Sequence, residues 1–512
     1  MIEVDEGLRT SSYVIYVDLP DNPNRWLLLH GYTGTYDVVS RRVAAYLRSR
    51  ETVPVSKPLY GDWGPEEIRA DSNWVPSNST LATLVKRGYL TEKPRDDEVT
   101  FFTSIVSRLH ETRRRAAPHF VIMPTYDCNL RCHYCFQDHM RTDPRFHGLL
   151  RTMSRDMADR IMAAFPFIEP EYHTYNATGP LQRQFTFFGG EPLLASSRPI
   201  VEYIMRSQQR QCSASFSAIT NGTELEAYED LLGPENLSKL QITIDGPEAT
   251  HDQRRVYPDR TGSFSDISQN VYLALHKGAN LQIRVNVDRN SFDSLIELAD
   301  MFISKGWADD PNFHVYLAPI QDYSGLKNAG TRPDFFNYWE LSEMLRKLHE
   351  REPKTRVFAR VDGSLRDRVR AVFKSQGPIE ARTAFCGAHV SMYLFDAFGD
   401  IYACWDRTGD RNLRIGTVNE DGTATINGFG ESWRSRSVVS NATCRQCRYA
   451  LHCGGGCAVL AELSSGTMFS NFCSAFGKRF RTAIAEAYGD HQSKISQPRR
   501  SDGLILHSAY LR

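Results

Sequence analysis

No apolar run in this 512-residue chain approaches the 18 or more residues of a membrane span, and neither sign of charge is in excess, with 61 Lys and Arg against 61 Asp and Glu. The balance removes the broad basic field by which nucleic-acid and anionic-membrane binders gather their partners, so neither is expected as a partner. Internal repeats and low-complexity tracts are missing as well. The opening segment MIEVDEGLRTSS has neither the basic start nor the apolar stretch of a signal peptide, and a cytoplasmic location is the expectation. With 41 % hydrophobic and 24 % charged residues the chain reads as globular rather than disordered, and its length implies two to four domains.

Cysteine is the exception to this ordinariness. There are eleven, an odd number, and ten fall in two groups, one near residue 130 and one beyond 385. Clustered cysteines in a chain without a secretion signal are a poor disulfide framework and more often hold metal.

Short apolar runs at Phe120–Met123, Gln184–Phe188, Ser215–Thr220, Leu240–Ile244, Leu281–Val287 and Phe313–Leu317 read as buried strands. Between them, helical spacing marks Ser154–Phe165, Pro199–Ser207, Leu225–Leu232, Ile267–His276 and Leu295–Ser304. Six such units make an α/β fold, an open or partial (β/α)6 barrel rather than a closed one of eight. The site of such a fold lies at the carboxyl ends of its strands. Upstream, Tyr13–Val17 and Trp26–His30 suggest a hairpin, followed by helices over Asp37–Arg48, Thr80–Arg87 and Asp97–Arg115 and an irregular Pro/Trp segment from Val53 to Pro76. Beyond residue 385 the chain is rich in Cys and Gly with little periodicity until a helix near Phe476–Tyr488.

The first group, Cys128-Asn129-Leu130-Arg131-Cys132-His133-Tyr134-Cys135, follows the first barrel strand with the spacing C-x3-C-x2-C. Three thiolates on one short loop can bind three irons of a cubic [4Fe–4S] cluster and leave the fourth open to chelate a small molecule. A zinc site completed by His133 or His139 is the alternative. The loop, with Tyr134 before its third cysteine, resembles the signature of the radical S-adenosylmethionine (SAM) superfamily, and further segments match in order. Gly189-Gly190-Glu191-Pro192 is similar to the family's GGE motif, and Asn221 with Gly222 follows the third strand. Thr243, Asp245 and Arg255 follow the fourth, Asn286 lies on the fifth, and Ala318 with Pro319 follows the sixth. The resemblance implies that Glu191 and the glycine backbone hold the SAM ammonium, that Thr243 and Arg255 meet the ribose or carboxylate, and that Asn286 and Ala318 contact ribose and adenine. It also implies a cluster that reduces SAM to a 5′-deoxyadenosyl radical, fed by an electron donor such as a flavodoxin or ferredoxin.

The second group is Cys386-x17-Cys404, then Cys444-x2-Cys447-x5-Cys453-x3-Cys457-x15-Cys473, seven cysteines and so more than one site needs. A zinc ribbon would be a purely structural use of them. The pattern resembles the SPASM domain of radical SAM enzymes, which implies two auxiliary [4Fe–4S] clusters, one on Cys386, Cys404 and Cys457 and one on Cys444, Cys447, Cys453 and Cys473. With the SAM-binding cluster this makes three. A fourth cysteine that some relatives place shortly after the first is missing, where the chain reads Gly387-Ala388-His389-Val390-Ser391-Met392; an open iron or a ligand such as His389 is expected. Cys212 is expected to be a packed structural thiol.

The resulting partition is a small α+β winged-helix-like module over 1–116, the barrel over 117–350, a linker over 351–384, the SPASM domain over 385–490 and a tail over 491–512. The first module loosely resembles the leader-binding modules of peptide maturases, with Tyr60, Trp63 and Trp74 available to line a groove; a cap over the barrel mouth is the plainer use. The resemblance implies a maturase of a ribosomally synthesised precursor peptide. The alternatives are a maturase of a protein partner, of the anaerobic sulfatase or quinone-cofactor type, and a non-catalytic zinc scaffold. Sulfatase maturases place an acidic base directly after the second SPASM cysteine. Here Trp405 stands there, and Asp406, one residue later, is the candidate proton acceptor.

Overall fold

The computed structural model describes residues 7–52, 74–169, 181–320, 334–361, 363–375 and 379–495. Compactness groups the chain differently from sequence order. One unit gathers Met1–Glu111, Asp362–Cys386 and Arg436–Arg512, and the other Thr112–Val361 with Gly387–Ser435.

In the first unit β1 (Val14–Asp18), β2 (Arg25–His30) and β3 (Tyr36–Ser40) form an antiparallel sheet in that order. Alternate residues leave a strand on opposite faces. Ile15, Val17, Leu27 and Leu29 pack on one side with Leu365, Val369 and Val372 of helix Gly363–Ser375 and with Phe480 and Ile484 of helix Phe476–Ile495. Val14, Tyr16, Trp26 and Leu28 pack on the other with Ala44, Ala45 and Leu47 of helix Arg41–Ser49 and with Leu81 and Leu84 of helix Asn78–Lys86. A sheet covered on both faces explains why these strands read as continuous apolar runs.

The expected hairpin is present, but Asp37–Ser40 belongs to a strand and not to the start of a helix. Val38 and Val39 are β-branched and favour the extended form. The helix begins only at Arg41, where the Ser40 side chain caps it by accepting from the Val43 N–H. Trp74 packs at the margin of the second core cluster, while Tyr60 and Trp63 lie outside the described residues.

A buried ion triad joins this module to the last cysteine group. Glu51 accepts from Arg48 at 2.9 Å and from Arg448 at 3.3 Å, with side chains 8 % or less exposed, and both guanidinium groups lie over the Tyr16 ring. Arg448 also donates to the Val14 carbonyl at 2.6 Å, and Tyr13 donates to the Arg445 carbonyl. Glu51→Gln removes the buried carboxylate that both guanidinium groups share and is expected to destabilise the unit by about 3–5 kcal/mol. A denaturant melt followed by tryptophan fluorescence reads this directly, with Glu92→Gln on the exposed surface as the neutral control.

The second unit carries one large sheet. Its strands are β4 (His119–Ile122), β5 (Gln182–Phe187), β6 (Ser213–Thr220), β7 (Leu237–Thr243), β8 (Asn280–Val287), β9 (Phe313–Pro319), β10 (Phe358–Ala359), β11 (Met392–Phe395), β12 (Asp400–Tyr402), β13 (Gly416–Val418) and β14 (Ala424–Ile426). Their order is β10-β9-β8-β7-β6-β5-β4-β11-β12-β13-β14, parallel from β10 through β11 and antiparallel beyond. The six strands expected from sequence are consecutive in this open parallel array, so the fold class is the α/β one anticipated.

Helices Arg155–Ile168, Arg198–Gln211, Phe264–His276 and Leu295–Ser304 connect the strands as expected. Leu225–Leu231 is a 3-10 helix instead, whose three-residue period turns Leu225, Tyr228 and Leu231 to the core together. The region expected to lack periodicity contributes β11–β14. Among the described residues no helix is long and apolar enough to cross a membrane.

Candidate active site

The site is built at the carboxyl end of β4, where the chain runs through Thr125–Asp127 into the first cysteine loop. The Gly189-Gly190 pair, just after β5, packs directly on that stem. A Cβ on Gly190 would stand 2.2 Å from the carbonyl oxygens of both Tyr126 and Asp127, and one on Gly189 (φ +149°) 2.3 Å from that of Thr125. Gly190 N–H donates to Thr125 O at 3.1 Å and Glu191 N–H to Asp127 O at 2.7 Å. The missing side chains thus let two backbones join and fix the cysteine loop.

Glu191, buried together with Pro192, accepts from Leu193 N–H (2.8 Å), Thr220 Oγ1 (2.6 Å) and Asn221 N–H (2.5 Å). Burial pushes its carboxyl up to about 7 against these hydrogen bonds. It ties the end of β5 to the end of β6. Asn221 Nδ2 donates to Asn129 Oδ1 at 2.8 Å and reaches Cys128 Sγ at 3.8 Å.

Three residues that follow or lie on the barrel strands meet at the Tyr134 hydroxyl. It donates to the Asp245 carboxylate and accepts from Arg255 Nη1 at 2.8 Å and Asn286 Nδ2 at 3.1 Å. The other Asp245 oxygen accepts from Asn286 N–H at 2.9 Å, and Arg284 Nε donates to Asn286 Oδ1 at 2.8 Å. Thr243 lies opposite Arg284, and Ala318 opposite Asn286, in the parallel register. Of the expected SAM contacts, Tyr134, Arg255 and Asn286 therefore share one hydrogen-bonded cluster, while Glu191 and Asn221 share another. The sequence pattern gives Asp245 no role and does not single out Arg284; only their position at or near the carboxyl ends of β7 and β8 marks them.

Three donors point at the loop's sulfurs, Leu130 N–H (3.4 Å) and Asn221 Nδ2 at Cys128 and Arg141 Nη2 (3.2 Å) at Cys135. Burial pushes the Cys128 thiol up to about 12 and the Cys132 thiol upward. Arg255 Nε is buried with no partner. Clustered thiols with N–H donors aimed at sulfur, next to an incompletely used guanidinium, fit an iron–sulfur cluster with a charged ligand beside it. Among the described residues no three His, Cys, Asp or Glu side chains converge as ligands of one metal ion; a cubic cluster asks each thiolate for a different iron. His133 packs on the Tyr134 ring and His139 on Phe146.

In the same unit, Cys404 follows β12 and opens the turn Trp405–Arg407. Asp406 is half-buried there, and burial pushes its carboxyl up to about 6 against the pull of Arg407 and Arg284. The Trp405 ring is 38 % exposed and lies 5.7 Å from that of Phe188, the residue before Gly189. His389 stacks on Trp433 and donates from Nδ1 to its carbonyl at 2.9 Å.

In the first unit burial, with Cys453 and Cys473 adding to it at Cys444 and Cys473 at Cys453, pushes the Cys444 thiol up to about 12 and the Cys453 thiol to about 11. Asn471 Nδ2 donates to Cys473 Sγ at 3.3 Å. Three consecutive left-handed glycines, Gly454 to Gly456 (φ +79°, +85° and +80°), join Cys453 to Cys457. A Cβ on Gly454 would stand 2.6 Å from Ala384 O and one on Gly456 2.0 Å from Phe472 O, so the glycines admit the segments that carry Cys386 and Cys473. Cys212 is half-buried at a helix end, its Sγ 3.5 Å from Gln208 O.

Residues 122–302 match the radical SAM superfamily. The cysteine-type anaerobic sulfatase-maturating enzyme of Clostridium novyi (strain NT) is 23 % identical over 369 residues, 70 % of this chain and 93 % of that one. GTP 3′,8-cyclase of Paracoccus denitrificans (strain Pd 1222) is 24 % identical over 243 residues, 47 % of this chain and 62 % of its own. Among solved structures, native anSMEcpe with bound AdoMet and the Cp18Cys peptide aligns with a TM-score of 0.53 at 16 % identity, over 73 % of this chain and all of that one. The matched span runs from the end of β4 into helix Leu295–Ser304 and contains the three-cysteine loop, the glycine pair and the Tyr134 cluster.

Proposed function

We propose that this radical SAM enzyme, a [4Fe–4S] and SAM protein related to sulfatase maturase, modifies a residue of a ribosomally made precursor peptide in the cytoplasm, forming a crosslink or another post-translational change. The observation that carries the reading is the convergence in one unit of the three-cysteine loop, the Tyr134–Asp245–Arg255–Asn286 cluster and the Asp406 turn. Cys128, Cys132 and Cys135 would hold the cluster. The chemistry such a cluster would supply when bound is one-electron reduction of SAM, with the electron coming from a donor such as a flavodoxin or ferredoxin, to give a 5′-deoxyadenosyl radical able to take hydrogen from an unactivated C–H bond.

The chain's own residues supply position and proton transfer. Tyr134 holds Arg255 and Asn286 as donors for the SAM carboxylate and ribose, with Thr243 and Ala318 beside them, and Asp245 fixes the Tyr134 hydroxyl. Phe188 and Trp405 form an apolar wall that keeps water from the reacting atoms. Asp406 would accept the proton that the substrate radical loses as its new bond forms, and the one electron left behind would pass to an oxidised iron–sulfur cluster. Among the described residues of the first unit β3 has a neighbour on one side only, an edge at which a leader can add as a further strand. Cys444, Cys447, Cys453 and Cys473 would hold an auxiliary cluster.

Asp406→Asn is expected to leave SAM cleavage intact and to lower modified product about 100-fold or more, the usual worth of a general base. Counting 5′-deoxyadenosine against product by mass spectrometry separates the two. The function itself is tested by anaerobic incubation with a short peptide encoded beside the gene, read as loss of two hydrogens from the peptide. A folded protein substrate is the second reading, favoured by the sulfatase-maturating relative, which this chain matches over 93 % of its length. Modification of a protein and of no encoded peptide would decide for it.

A further inference from the structure

Arg141 lies in the short helix His139–Thr142, six residues past the last cysteine of the loop, and its side chain folds back onto that loop. Nη2 stands 3.2 Å from Cys135 Sγ and Nη1 3.2 Å from the Tyr126 carbonyl, which it anchors. The residue is 8 % exposed, and Nε is buried without a partner. Among the described residues no carboxylate pairs with it. A buried guanidinium without an acid is costly unless a negative charge is supplied from elsewhere. The nearest group able to supply one is the Cys135 thiol, 3.2 Å from Nη2.

We propose that Arg141 is a positioning residue that sets the reduction potential of the cluster on Cys128, Cys132 and Cys135, acting as a charged N–H donor to the Cys135 sulfur. The inference rests on the assignment of the cluster to that loop. Reduction adds one negative charge to the cluster, and a fixed cation at hydrogen-bond distance from a ligand sulfur favours the reduced state. Burial keeps the effect from being screened by solvent. The other two donors at the loop, Leu130 N–H and Asn221 Nδ2, are neutral, so the charge is specific to Arg141.

The test compares the parent with Arg141→Gln and Arg141→Lys after anaerobic reconstitution of the full chain. Iron and sulfide per chain are measured first. Electron paramagnetic resonance is then recorded at a series of fixed potentials with and without SAM, and the SAM-responsive signal separates this cluster from any other. Arg141→Gln is expected to keep its iron while the reduced-to-oxidised ratio at the parent midpoint falls about tenfold, a downward shift of about 59 mV for one electron. Arg141→Lys, which keeps the charge without the planar fork, falls between. A parental midpoint in a fully loaded Gln variant overturns the proposal, as does loss of iron from both variants, because Arg141 would then only anchor its helix. If Gln alone loses iron, the Lys midpoint decides by the same criterion. Persistence of the SAM-responsive signal in Cys128→Ala/Cys132→Ala/Cys135→Ala would refute the assignment of the cluster to the loop, a failure distinct from that of Arg141.

Discussion

Replacing Cys128, Cys132 and Cys135 together by alanine is expected to reduce 5′-deoxyadenosine formation from SAM to the background of protein-free dithionite. Iron in the carboxy-terminal cysteine sites should remain, about eight of about twelve atoms on a three-cluster count. The loop is held by backbone pairing of its stem with Gly190 and Glu191, which the substitutions leave untouched, so the variant is expected to keep its fold. Losing the thiolates removes the cluster ligands without disturbing Asp245, Arg255 or Asn286, which hydrogen-bond to one another through Tyr134. Iron and sulfide analysis alongside product chromatography gives both halves of the result. Retained cleavage would mean that another set of ligands binds the catalytic cluster.

Gly190→Ala is expected to lower SAM cleavage at least about 100-fold although no reactive group is lost. The new methyl would sit 2.2 Å from two backbone carbonyl oxygens, and neither can rotate away as a side chain would. Overpacking of this kind costs roughly 3 kcal/mol or more when backbone must move. A displacement of the cysteine loop by about 1 Å is enough to cost about 100-fold in rate, since the reaction depends on near-contact geometry. Gly148→Ala, with nothing within 4 Å of the added methyl, serves as the control in the same unit. Equal activity and melting temperature in the two variants would show that the glycine pair does not fix the loop.

The two predictions draw on different sources of information. The cysteine spacing, the strand runs and the glycine pair were legible because each is a local pattern with a geometric cause: period in the strands, ligand number in the loop, absent Cβ atoms at the crossing. The six barrel strands were readable for the same reason, being fully buried and rich in β-branched or aromatic residues. Asp37–Ser40 was misread because an apolar pair flanked by Asp and Ser satisfies a helical face as readily as a strand, and the Ser40 cap decides only once the turn is formed.

The strands β11–β14 have three or four residues each, too few for a period to show. The grouping of the Arg436–Arg512 segment with the amino-terminal module follows from contacts such as Arg448 with Val14 and Glu51, separated by some 400 residues, which no local window contains. Asp245 and Arg141 are ordinary residues in ordinary places in the sequence. Their contacts with Tyr134 and Cys135 exist only in the folded chain.

The most direct test of the account is chemical analysis of the protein purified and reconstituted under anaerobic conditions, followed by incubation with SAM and dithionite. The account predicts iron and acid-labile sulfide in equal amounts, about twelve of each per chain for three cubic clusters, together with 5′-deoxyadenosine. Zinc without sulfide, and no cleavage of SAM, would contradict it and leave the cysteines as a structural scaffold.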